Sequence, residues 1–439
     1  MSNTSSTSAA PLDFTVPHAD HQIVSTMAAG LKGSEILKIA ADVRELKAQG
    51  RQLLDLTVGD FAPRQFRLPA RLEALITEAY AAGESNYPPS NGMPELRDAA
   101  RRLAQRELGL DYPAGGVLAA GGSRPLIYAI YRALVNHGEK VVYPVPSWNN
   151  NHYCHQLGAV SVPVLVNPKQ HFLPTAEDLR PHLKDARLLA LCSPLNPTGT
   201  AFGADQLAAI CDLVLEENAR RGPEQRPLYV MYDQVYWMLT FGGTRHVNPV
   251  SLRPAMAPWT VFVDGVSKAL AATGVRVGFG FGPPRVIQRM SDIIGHVGAW
   301  APRPEQVAVA RFLDDAAALT AFREEFLGKV RARLDLLHAG FQRMKAAGLA
   351  VDSIEPMGAI YLTLQLALHG RTTPEGDVLK TNDDVRRWLL EAAGCALVPF
   401  SAFAFPGDMG WFRASVGAVS LADIEAGLVR LETALRSLR

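Results

Sequence analysis

The sequence predicts an α/β fold in which a mostly parallel sheet is flanked by helices, joined to a smaller α+β domain. Short apolar runs alternate with stretches of helical periodicity between about residues 117 and 265, which is typical of parallel strands joined by crossover helices. A long, charged helical stretch from about Thr320 to Ala347 then breaks this alternation. A second domain is therefore expected after it.

Six apolar runs are the candidate strands of the parallel sheet. They are VLAA at 117–120, KVVYPV at 140–145, SVPVLV at 161–166, ARLLALC at 186–192, PLYVMY at 227–232 and TVFVDG at 260–265. Helical periodicity separates them, as between Pro125 and Asn136 and between Ala204 and Glu217. Helices at these places would cover both faces of the sheet.

The second domain is predicted from the elements that follow the long helix. They are AIYLTLQL at 359–366, a helix over 383–393, ALVPF at 396–400, WFRASV at 411–416 and a terminal helix from Ala422. The segment 33–59 is expected to return to this domain. We therefore predict a tail over 1–32, a small domain over 33–66 and 320–439, and a large domain over 67–319.

Composition excludes several classes of partner. The chain has 439 residues, of which 48% are hydrophobic and 20% charged, with a net charge of +1. A balance this close to zero favours neither nucleic acid nor an anionic membrane as partner. No apolar run reaches the roughly 18 to 20 residues that span a bilayer. The first 22 residues lack a basic region followed by an apolar core, so a disordered tail and a cytoplasmic protein are expected.

The four cysteines predict neither a disulfide framework nor a zinc site. Cys154, Cys192, Cys211 and Cys395 are widely spaced and form no C-x-x-C pair. The cluster His152, Cys154 and His155 matches no common ligand spacing. No metal is therefore predicted.

Ligands of parallel sheets bind at the carboxyl ends of the strands, so the residues after each predicted strand are candidates for a site. After VLAA, the backbone amides of Gly122, Ser123 and Arg124 could hold a phosphate at a helix start, or form only a tight turn. After KVVYPV, Trp148 could stack on a flat ring or cap the core. After ARLLALC, Asn196 lies at the apex of the rigid turn NPTG, which could be purely structural.

The last two predicted strands lead into titratable side chains. Asp233 follows PLYVMY, where a carboxylate needs a cation or strong donors unless it caps a helix, and Tyr236 can reach the same side. Lys268 lies in DGVSKALAATGVRVGF, and removal of its ammonium from water would lower its pKa and free a nucleophilic amine. Ser267 and Arg276 offer a hydroxyl and a guanidinium fork to a phosphate. A surface lysine at a helix start is the alternative.

Together these positions supply an aromatic face, an amide, a carboxylate for a pyridinium proton, a Schiff-base lysine and a phosphate cradle. These are the requirements of pyridoxal 5'-phosphate. Each residue has an ordinary structural explanation when taken alone, but their joint occurrence favours this cofactor.

From about Gly33 to its end, the chain resembles the class I/II aminotransferases of fold type I, the aspartate aminotransferase superfamily, with the motifs in the family's order. The resemblance implies the fold of the pyridoxal phosphate-dependent transferases and a ping-pong transfer of an amino group from an L-amino acid to a 2-oxo acid. It implies that Lys268 is the Schiff-base lysine and general base, and that Asp233 pairs with the pyridine nitrogen.

The resemblance also implies the remaining cofactor contacts. Asn196 and Tyr236 would bond the phenolic oxygen of the ring, and Trp148 would stack on it. The phosphate would be held by Ser123, Arg124, Ser267 and Arg276. Tyr87, in SNYPPSNGMPELR, resembles the tyrosine that reaches the phosphate across a dimer interface, which implies a homodimer with shared active sites.

Substrate contacts are implied in the same way. Arg413 in WFRASV matches the arginine that grips the α-carboxylate, and Gly59 in LTVGDFAP matches the glycine that closes over it, although a surface-paired arginine and a turn glycine are the ordinary alternatives. Trp148 and Asn196 would also touch the substrate. His296 and Trp300 would lie at the mouth of the neighbouring subunit's site. A partly charged histidine beside an aromatic ring predicts use of aspartate or glutamate together with aromatic or apolar amino acids, with 2-oxoglutarate as acceptor.

Several positions depart from the usual family pattern. Asp60-Phe61 stands where Glu-Pro is usual, Gln234 replaces a common glutamate, Leu195 a common asparagine, and Gly265 a frequent phosphate-binding serine. The last change puts one phosphate contact in doubt. The others lie around the ring and the substrate, so they leave the substrate open.

Three alternatives stay open at this point. C-S lyases, decarboxylases and acyl-CoA condensing enzymes use the same scaffold. A non-catalytic, aminotransferase-like binding protein is disfavoured because every catalytic position is occupied and the residues before 33 show no DNA-binding extension. A nucleotide-binding α/β enzyme would need G-x-G-x-x-G after the first strand, which GGSRPL does not supply.

Overall fold

The protein is described by a computed structural model that covers residues 12–33 and 35–439, in two units, Met1–Gly33 and Ser34–Arg439. The shorter unit contains helices α1 (Asp20–Ile23) and α2 (Thr26–Gly30), and the hydroxyl of Ser25 caps α2 by accepting from the N–H of Ala28. The predicted disordered tail falls on this unit; residues 1–11 lie outside the described residues, and the rest carries these two helices. All other elements belong to the longer unit.

The described part of the longer unit contains thirteen strands in three sheets. They are β1 (Leu54–Asp55), β2 (Val117–Ala120), β3 (Lys140–Val145), β4 (Val160–Leu165), β5 (Ala186–Cys192), β6 (Tyr229–Asp233), β7 (Thr260–Gly265), β8 (Gly278–Phe281), β9 (Val351–Ser353), β10 (Tyr361–Leu366), β11 (Cys395–Ala396), β12 (Val398–Pro399) and β13 (Trp411–Ser415).

Fourteen helices accompany these strands within residues 35–439. They are α3 (Glu35–Ala48), α4 (Ala70–Ala81), α5 (Pro94–Leu108), α6 (Ser123–Leu134), α7 (Asn150–Leu157), α8 (Ala176–Leu183), α9 (Ala204–Arg221), α10 (Pro249–Leu252), α11 (Val266–Ala269), α12 (Pro284–Val297), α13 (Arg303–Asp314), α14 (Ala316–Ala346), α15 (Asn382–Ala392) and α16 (Leu421–Ser437).

The seven-stranded central sheet has the order β2-β8-β7-β6-β5-β3-β4. All neighbouring pairs are parallel except those that β8 makes with β2 and β7. Along β5, Leu188 and Ala190 join one hydrophobic cluster, with α6 and α12, while Leu189 and Leu191 join a second, with α5 and α9. The predicted mostly parallel sheet, covered on both faces, is thus confirmed.

The two smaller sheets are built mainly from strands late in the chain, with β1 added from its beginning. An antiparallel sheet has the order β12-β13-β10-β9, and β1 pairs in parallel with β11 through Leu54 and Cys395. Helix ends next to them are fixed by reciprocal capping boxes, Thr381 with Asp384 on α15 and Ser420 with Asp423 on α16. The pairing of β1 with β11 joins the segment after α3 to residues near 395. The domain boundaries near residues 67 and 320 stay predictions.

The described elements follow the predicted ones closely, but the strands β1, β8 and β9 were not predicted. The fifth predicted strand, PLYVMY, corresponds to β6, which begins two residues later than predicted and extends through Asp233. The long helix begins at Ala316 because the carboxylate of Asp315 caps it by accepting from the N–H of Ala318 at 3.0 Å. Strand β8 was not predicted, because its sequence GFGF has two glycines, which are depleted in strands.

Candidate active site

A cavity of about 690 Å³ opens at the carboxyl ends of the parallel strands. Most of the residues that the sequence singled out line it: Gly59, Ser123, Arg124, Trp148, Asn196, Asp233, Tyr236, Ser267, Lys268, Arg276 and Arg413. The carboxyl ends of parallel strands meet at one edge of a sheet, so residues far apart in sequence come together there. Four predicted residues do not line this cavity: Gly122, Tyr87, His296 and Trp300.

Lys268 lies at the end of the short helix α11, partly buried in the cavity. Its Nζ donates a hydrogen bond to the carbonyl oxygen of Gly59 at 2.8 Å. The pKa of Lys268 is lowered to about 8, mainly by burial, with a smaller contribution from the nearby guanidinium groups and against the charge of Asp60, which raises it. A substantial unprotonated fraction near neutral pH is the condition for a lysine to act as nucleophile or base.

Asp233 ends β6 and opens onto the same cavity. Its Oδ1 accepts a hydrogen bond from the backbone N–H of Val235 at 3.1 Å. Desolvation raises the pKa of Asp233 to about 6, and the Val235 N–H and the charge of Lys268 lower it in part. At neutral pH the carboxylate is therefore ionised in a place where water solvates it poorly, so it favours a cationic partner.

Arg413 lies in the middle of β13 and is only 1% exposed. Its Nη2 donates to the carbonyl of Thr57 at 2.7 Å and its Nη1 donates to Oδ1 of Asn196 at 3.3 Å. Its guanidinium carbon lies 4.8 Å from the ring centroid of Tyr361 and 5.0 Å from that of Phe403. Desolvation lowers the pKa of Arg413.

Arg413 is a buried cation whose pairing is incomplete. Within the described ranges no carboxylate lies in ion-pair distance of Arg413, and its Nε has no hydrogen-bond partner there. A buried charge is normally paired, because an unpaired one is costly. This guanidinium, at the wall of a cavity, is therefore suited to an anionic ligand such as a carboxylate.

Tyr361 is a cavity residue that sequence reasoning missed. Its hydroxyl lies 2.7 Å from that of Tyr236, and the two rings meet edge to face at 5.6 Å. Burial raises the pKa of both phenols, so both stay neutral and able to donate a hydrogen bond. An aromatic residue in an apolar strand carries no sign of a functional site, because the same residue type fills cores.

The turn NPTG brings Asn196 to Arg413. Gly199 has φ of 72°, and a Cβ there would lie 2.1 Å from the carbonyl oxygen of Tyr361. The N–H of Gly358 donates to the carbonyl of Gly199 at 2.8 Å, so the turn packs directly against the chain that enters β10. Only glycine fits both the left-handed backbone and this close approach.

The guanidinium of Arg276 lies against the start of α6. Gly122, at φ 96°, precedes the helix, and a Cβ there would lie 2.2 Å from Nη2 of Arg276. Arg276 donates to the carbonyls of Gly121 and Thr273, which holds its guanidinium against Gly122. A helix amino terminus with an adjacent guanidinium attracts phosphate. Unlike Arg276, which packs against Gly122, Arg124 faces the ring of Trp148, with its guanidinium carbon 5.5 Å from the ring centroid.

The donor set fits pyridoxal phosphate. The cavity offers an amine of lowered pKa at Lys268, a carboxylate at Asp233 and the cradle that a Cβ on Gly122 would fill. These are the groups that a Schiff base, a protonated pyridine nitrogen and a phosphate require. Among residues 12–33 and 35–439, no cluster of three His, Cys, Asp or Glu side chains could hold a metal ion.

Tyr87, His296 and Trp300 lie away from the cavity of their own chain. Tyr87 is 81% exposed, and its ring meets that of Trp300 edge to face at 5.5 Å. His296 is exposed in the last turn of α12. Within one chain, these residues do not complete the site.

Comparison with known proteins agrees with this geometry. A family model described as aminotransferase class I and II matches residues 51–431. The probable aspartate/prephenate aminotransferase of Rhizobium leguminosarum bv. phaseoli is 30% identical over 376 residues, which are 85% of this chain and 90% of that protein.

Solved structures agree as well. The aspartate aminotransferase from Rhizobium meliloti has a TM-score of 0.86 at 28% identity, with 95% of this chain and 99% of that chain covered. The aspartate aminotransferase from Thermus thermophilus with maleate has a TM-score of 0.83 at 26% identity, with 94% and 99% covered. A sequence match over this much of its length shows that the chain belongs to the aminotransferase class I and II family.

Proposed function

We propose that this pyridoxal phosphate-dependent aminotransferase takes the amino group of aspartate or glutamate, and of aromatic or apolar amino acids, and passes it to a 2-oxo acid such as 2-oxoglutarate. The observation that carries the proposal is the pairing of Lys268 and Arg413 on one cavity. The first is an amine with a pKa of about 8, and the second is a buried guanidinium without a carboxylate partner. An amino acid offers the matching amino and carboxylate groups.

The cofactor contacts are proposed from the groups around the cavity. When bound, pyridoxal phosphate supplies an aldehyde carbon to receive the amino group and a ring that withdraws electrons from the α-carbon. Asp233 would hold a proton on the ring nitrogen, because its poorly solvated carboxylate favours a cation. The phosphate would bind at the start of α6, with Ser123, Arg124, Ser267 and Arg276. Trp148 would cover the ring, and Asn196 and Tyr236 would bond its oxygen.

Lys268 is proposed as the general base and acid. Its Nζ would take the proton from the substrate α-carbon and later give it up again. This proton transfer is efficient when the pKa of the amine lies near the working pH. In the resting cavity, the carbonyl of Gly59 holds this Nζ at 2.8 Å. The same contact keeps the amine beside the segment proposed to close over the substrate.

Arg413 is proposed to bind the α-carboxylate. Its Nη2 bond to Thr57 and Nη1 bond to Asn196 leave the guanidinium oriented at the cavity wall. A planar fork matches a carboxylate in two parallel hydrogen bonds, which orients the α-carbon as well as binding it. Desolvation at this site strengthens the attraction.

The side-chain specificity is proposed from residues that one chain does not place in its own cavity. Tyr87, His296 and Trp300 would reach the site of a second copy, so a homodimer with shared sites is proposed; the high exposure of Tyr87 supports this. The related aspartate aminotransferases, one solved with the dicarboxylate maleate, support a dicarboxylate substrate. Four free thiols suit a reducing compartment, which supports the cytoplasm.

The amine is tested by Lys268→Ala. We expect this variant to lose turnover and the visible absorbance that arises when cofactor joins the lysine, because no other amine replaces Nζ. Lys329→Ala is the matched control, since Lys329 is an exposed lysine on α14 whose ion pair, in the part of the chain that the structure describes, is with Glu325. An Lys268→Ala protein that keeps both signals would refute the proposed role.

The substrate is tested by comparing aspartate with phenylalanine as donor to 2-oxoglutarate. We expect both to react, because a histidine and an aromatic ring at the mouth suit an acidic and an apolar side chain. A strict preference for either donor would contradict the proposed breadth without affecting the proposed chemistry.

A further inference from the structure

The segment that follows β6 faces two directions. Asp233 and Tyr236 line the cavity, whereas Gln234 and Trp237 are buried behind it and do not line it. Gln234 is 0% exposed, and its Nε2 lies 3.5 Å from Oδ2 of Asp264. Trp237, a second side-chain donor beside this carboxyl, lowers the pKa of Asp264. Gln234 and Trp237, the two side chains that face away from the cavity, therefore both lie beside the carboxyl group of Asp264.

Asp264 joins that segment to the strand that leads to Lys268. It lies near the end of β7, is 2% exposed, and comes four residues before Lys268. Phe262 packs in the second cluster and Val263 in the first, so alternation places Asp264 on the face opposite the cavity. Its Oδ1 accepts from the N–H of Gly265 at 2.7 Å. The two strands also meet through the N–H of Gln234 and the carbonyl of Val263, at 2.9 Å.

His246 fixes the orientation of the Gln234 amide. Its Nε2 lies 3.2 Å from Oε1 of Gln234, and burial lowers the pKa of His246 to about 3, so the ring is neutral. The tautomer with its proton on Nε2 donates to this amide oxygen. Its Nδ1 is buried without a hydrogen-bond partner among the described residues. With its oxygen held by His246, Gln234 turns its NH₂ group to Asp264.

We propose that Asp264 is a positioning residue that acts through Gln234 and Trp237 to fix Asp233 and Tyr236 relative to Lys268. The proposal rests on the proposed function, because it assigns Asp264 to the same site. The departure at Gln234 is consistent with it: the glutamate that is common at this position would place a second carboxyl against Asp264, where an amide can donate.

Asp264 can hold Gln234 and Trp237 in place without competing with Asp233 for a cationic partner. Burial raises the pKa of Asp264 well above its ordinary range, and the charge of Asp233 raises it further, whereas the N–H of Gly265 and the side chains of Gln234 and Trp237 lower it in part. The negative charge near the cavity is therefore favoured on Asp233. Asp264 contributes as an acceptor of hydrogen bonds.

The test compares Asp264→Ala with Asp264→Asn in the full-length protein. The first leaves the donors of Gln234 and Trp237 unpaired, whereas the second keeps an acceptor oxygen of the same shape. We expect Asp264→Ala to lower kcat about tenfold or more, since small displacements of catalytic groups cost that much. We expect Asp264→Asn to keep kcat within about threefold of wild type.

A readout without cofactor separates positioning from simple support of the fold. The rate at which acetic anhydride labels Lys268 in cofactor-free protein, followed against pH by mass spectrometry, reports the pKa of this amine. We expect Asp264→Ala to shift that pKa by about half a unit or more, and Asp264→Asn to restore it. A lower Tm with unchanged kcat and unchanged labelling pKa would overturn the proposal, as would equal impairment of both variants.

Two further measurements keep the outcome decisive. If Asp264→Ala does not fold, Gln234→Met removes the donor to Asp264 at similar volume. This variant should lower kcat and shift the labelling pKa of Lys268 in the same way. An unchanged kcat and an unchanged labelling pKa would overturn the proposal. If the wild-type protein transfers no amino group, the proposed function fails. If wild type is active and the folded variants match it, only the role of Asp264 fails.

Discussion

Asp233 and Lys268 are each held away from their ordinary ionisation. Burial raises the pKa of Asp233 to about 6 and lowers that of Lys268 to about 8, so both charged forms are disfavoured in the folded chain. Neither shift stabilises the protein by itself. A ligand that gives the carboxylate a cation and uses the amine would relieve both costs, which links cofactor binding to stability.

The cost at Asp233 has a defined pH dependence. A raised folded pKa means that the folded carboxyl binds its proton more tightly than the unfolded one, so stability falls as the pH rises from about 4 to about 6. Above pH 6 the full cost is present. A shift from 3.8 to about 6 corresponds to at most about 3 kcal/mol.

We therefore expect Asp233→Asn to stabilise the cofactor-free protein by about 1–3 kcal/mol at pH 7.5, because the neutral isostere keeps the bond from Val235 without the buried charge. The gain should shrink at about pH 4.5, where the wild-type carboxyl is mostly protonated in the folded chain. Denaturant unfolding at both pH values measures it. Cofactor binding should weaken in the same variant.

Asp423→Asn is the control, because it should change the free energy of unfolding at pH 7.5 in the direction opposite to Asp233→Asn. The hydroxyl and N–H of Ser420 lower the pKa of Asp423 in the capping box of α16. Removing this charge should destabilise the protein at pH 7.5, an effect that fades only as the pH falls below the ordinary pKa of the carboxyl, 3.8, towards its lowered value. Equal effects of the two variants would contradict the cost assigned to Asp233.

At the scale of elements, the turn NPTG follows β5 of the large sheet, carries Asn196, and packs against the start of β10 at Tyr361. Gly199 lies at the point of closest approach, with both a left-handed backbone and the carbonyl of Tyr361 against it. The position of Asn196 beside Arg413 thus depends on a glycine that touches neither.

We expect Gly199→Ala to lower the free energy of unfolding by about 2 kcal/mol or more, because the added methyl group forces the turn away from β10 and φ of 72° is strained for alanine. Denaturant unfolding measures the loss. The KM for the amino acid should rise as well, since Asn196 would move away from Arg413.

Gly203→Ala is the matched control for this substitution. Gly203 lies four residues later at φ −75°, and a Cβ there would meet nothing within 4 Å. We expect a change within about 0.5 kcal/mol. A Gly199→Ala protein as stable as Gly203→Ala would show that the turn tolerates displacement.

Sequence reasoning reached the elements whose signal is local. Apolar runs such as ARLLALC and caps such as Asp315 lie within a few residues of the element that they define, so strand and helix bounds followed to within a few positions. It missed β8, because the glycines of GFGF obscure its pattern.

The same distinction between local and distant signals separates the site residues that were predicted from those that were missed. Lys268 and Asp233 follow apolar strands, where a charged group is conspicuous. Tyr361 and Gln234 gain their importance only from partners 125 and 30 residues away, Tyr236 and Asp264, and no local pattern announces such contacts. The roles assigned to all of these side chains stay predictions.

At the scale of the whole molecule, the cavity of one chain holds the lysine and the arginine but not Tyr87. If Tyr87 reaches the phosphate of a second copy, every complete site contains side chains from two chains. Two different inactive variants can then restore one another, provided that both defects fall in the same site of the mixed dimer and leave the other site intact.

We expect complementation between Lys268→Ala and Tyr87→Ala when the two proteins are unfolded and refolded together. In a mixed dimer, the lysine of the Tyr87→Ala chain lies with the tyrosine of the Lys268→Ala chain, so one site is intact. Random pairing makes half of the dimers mixed, so activity should recover to about a quarter of wild type. Lys268→Ala refolded with Arg413→Ala is the control, because both residues line the cavity of one chain and every mixed site keeps a defect. Recovery with Arg413→Ala, or none with a Tyr87→Ala chain that is itself impaired, would contradict a shared site, since only a residue donated across the interface distinguishes these two pairs.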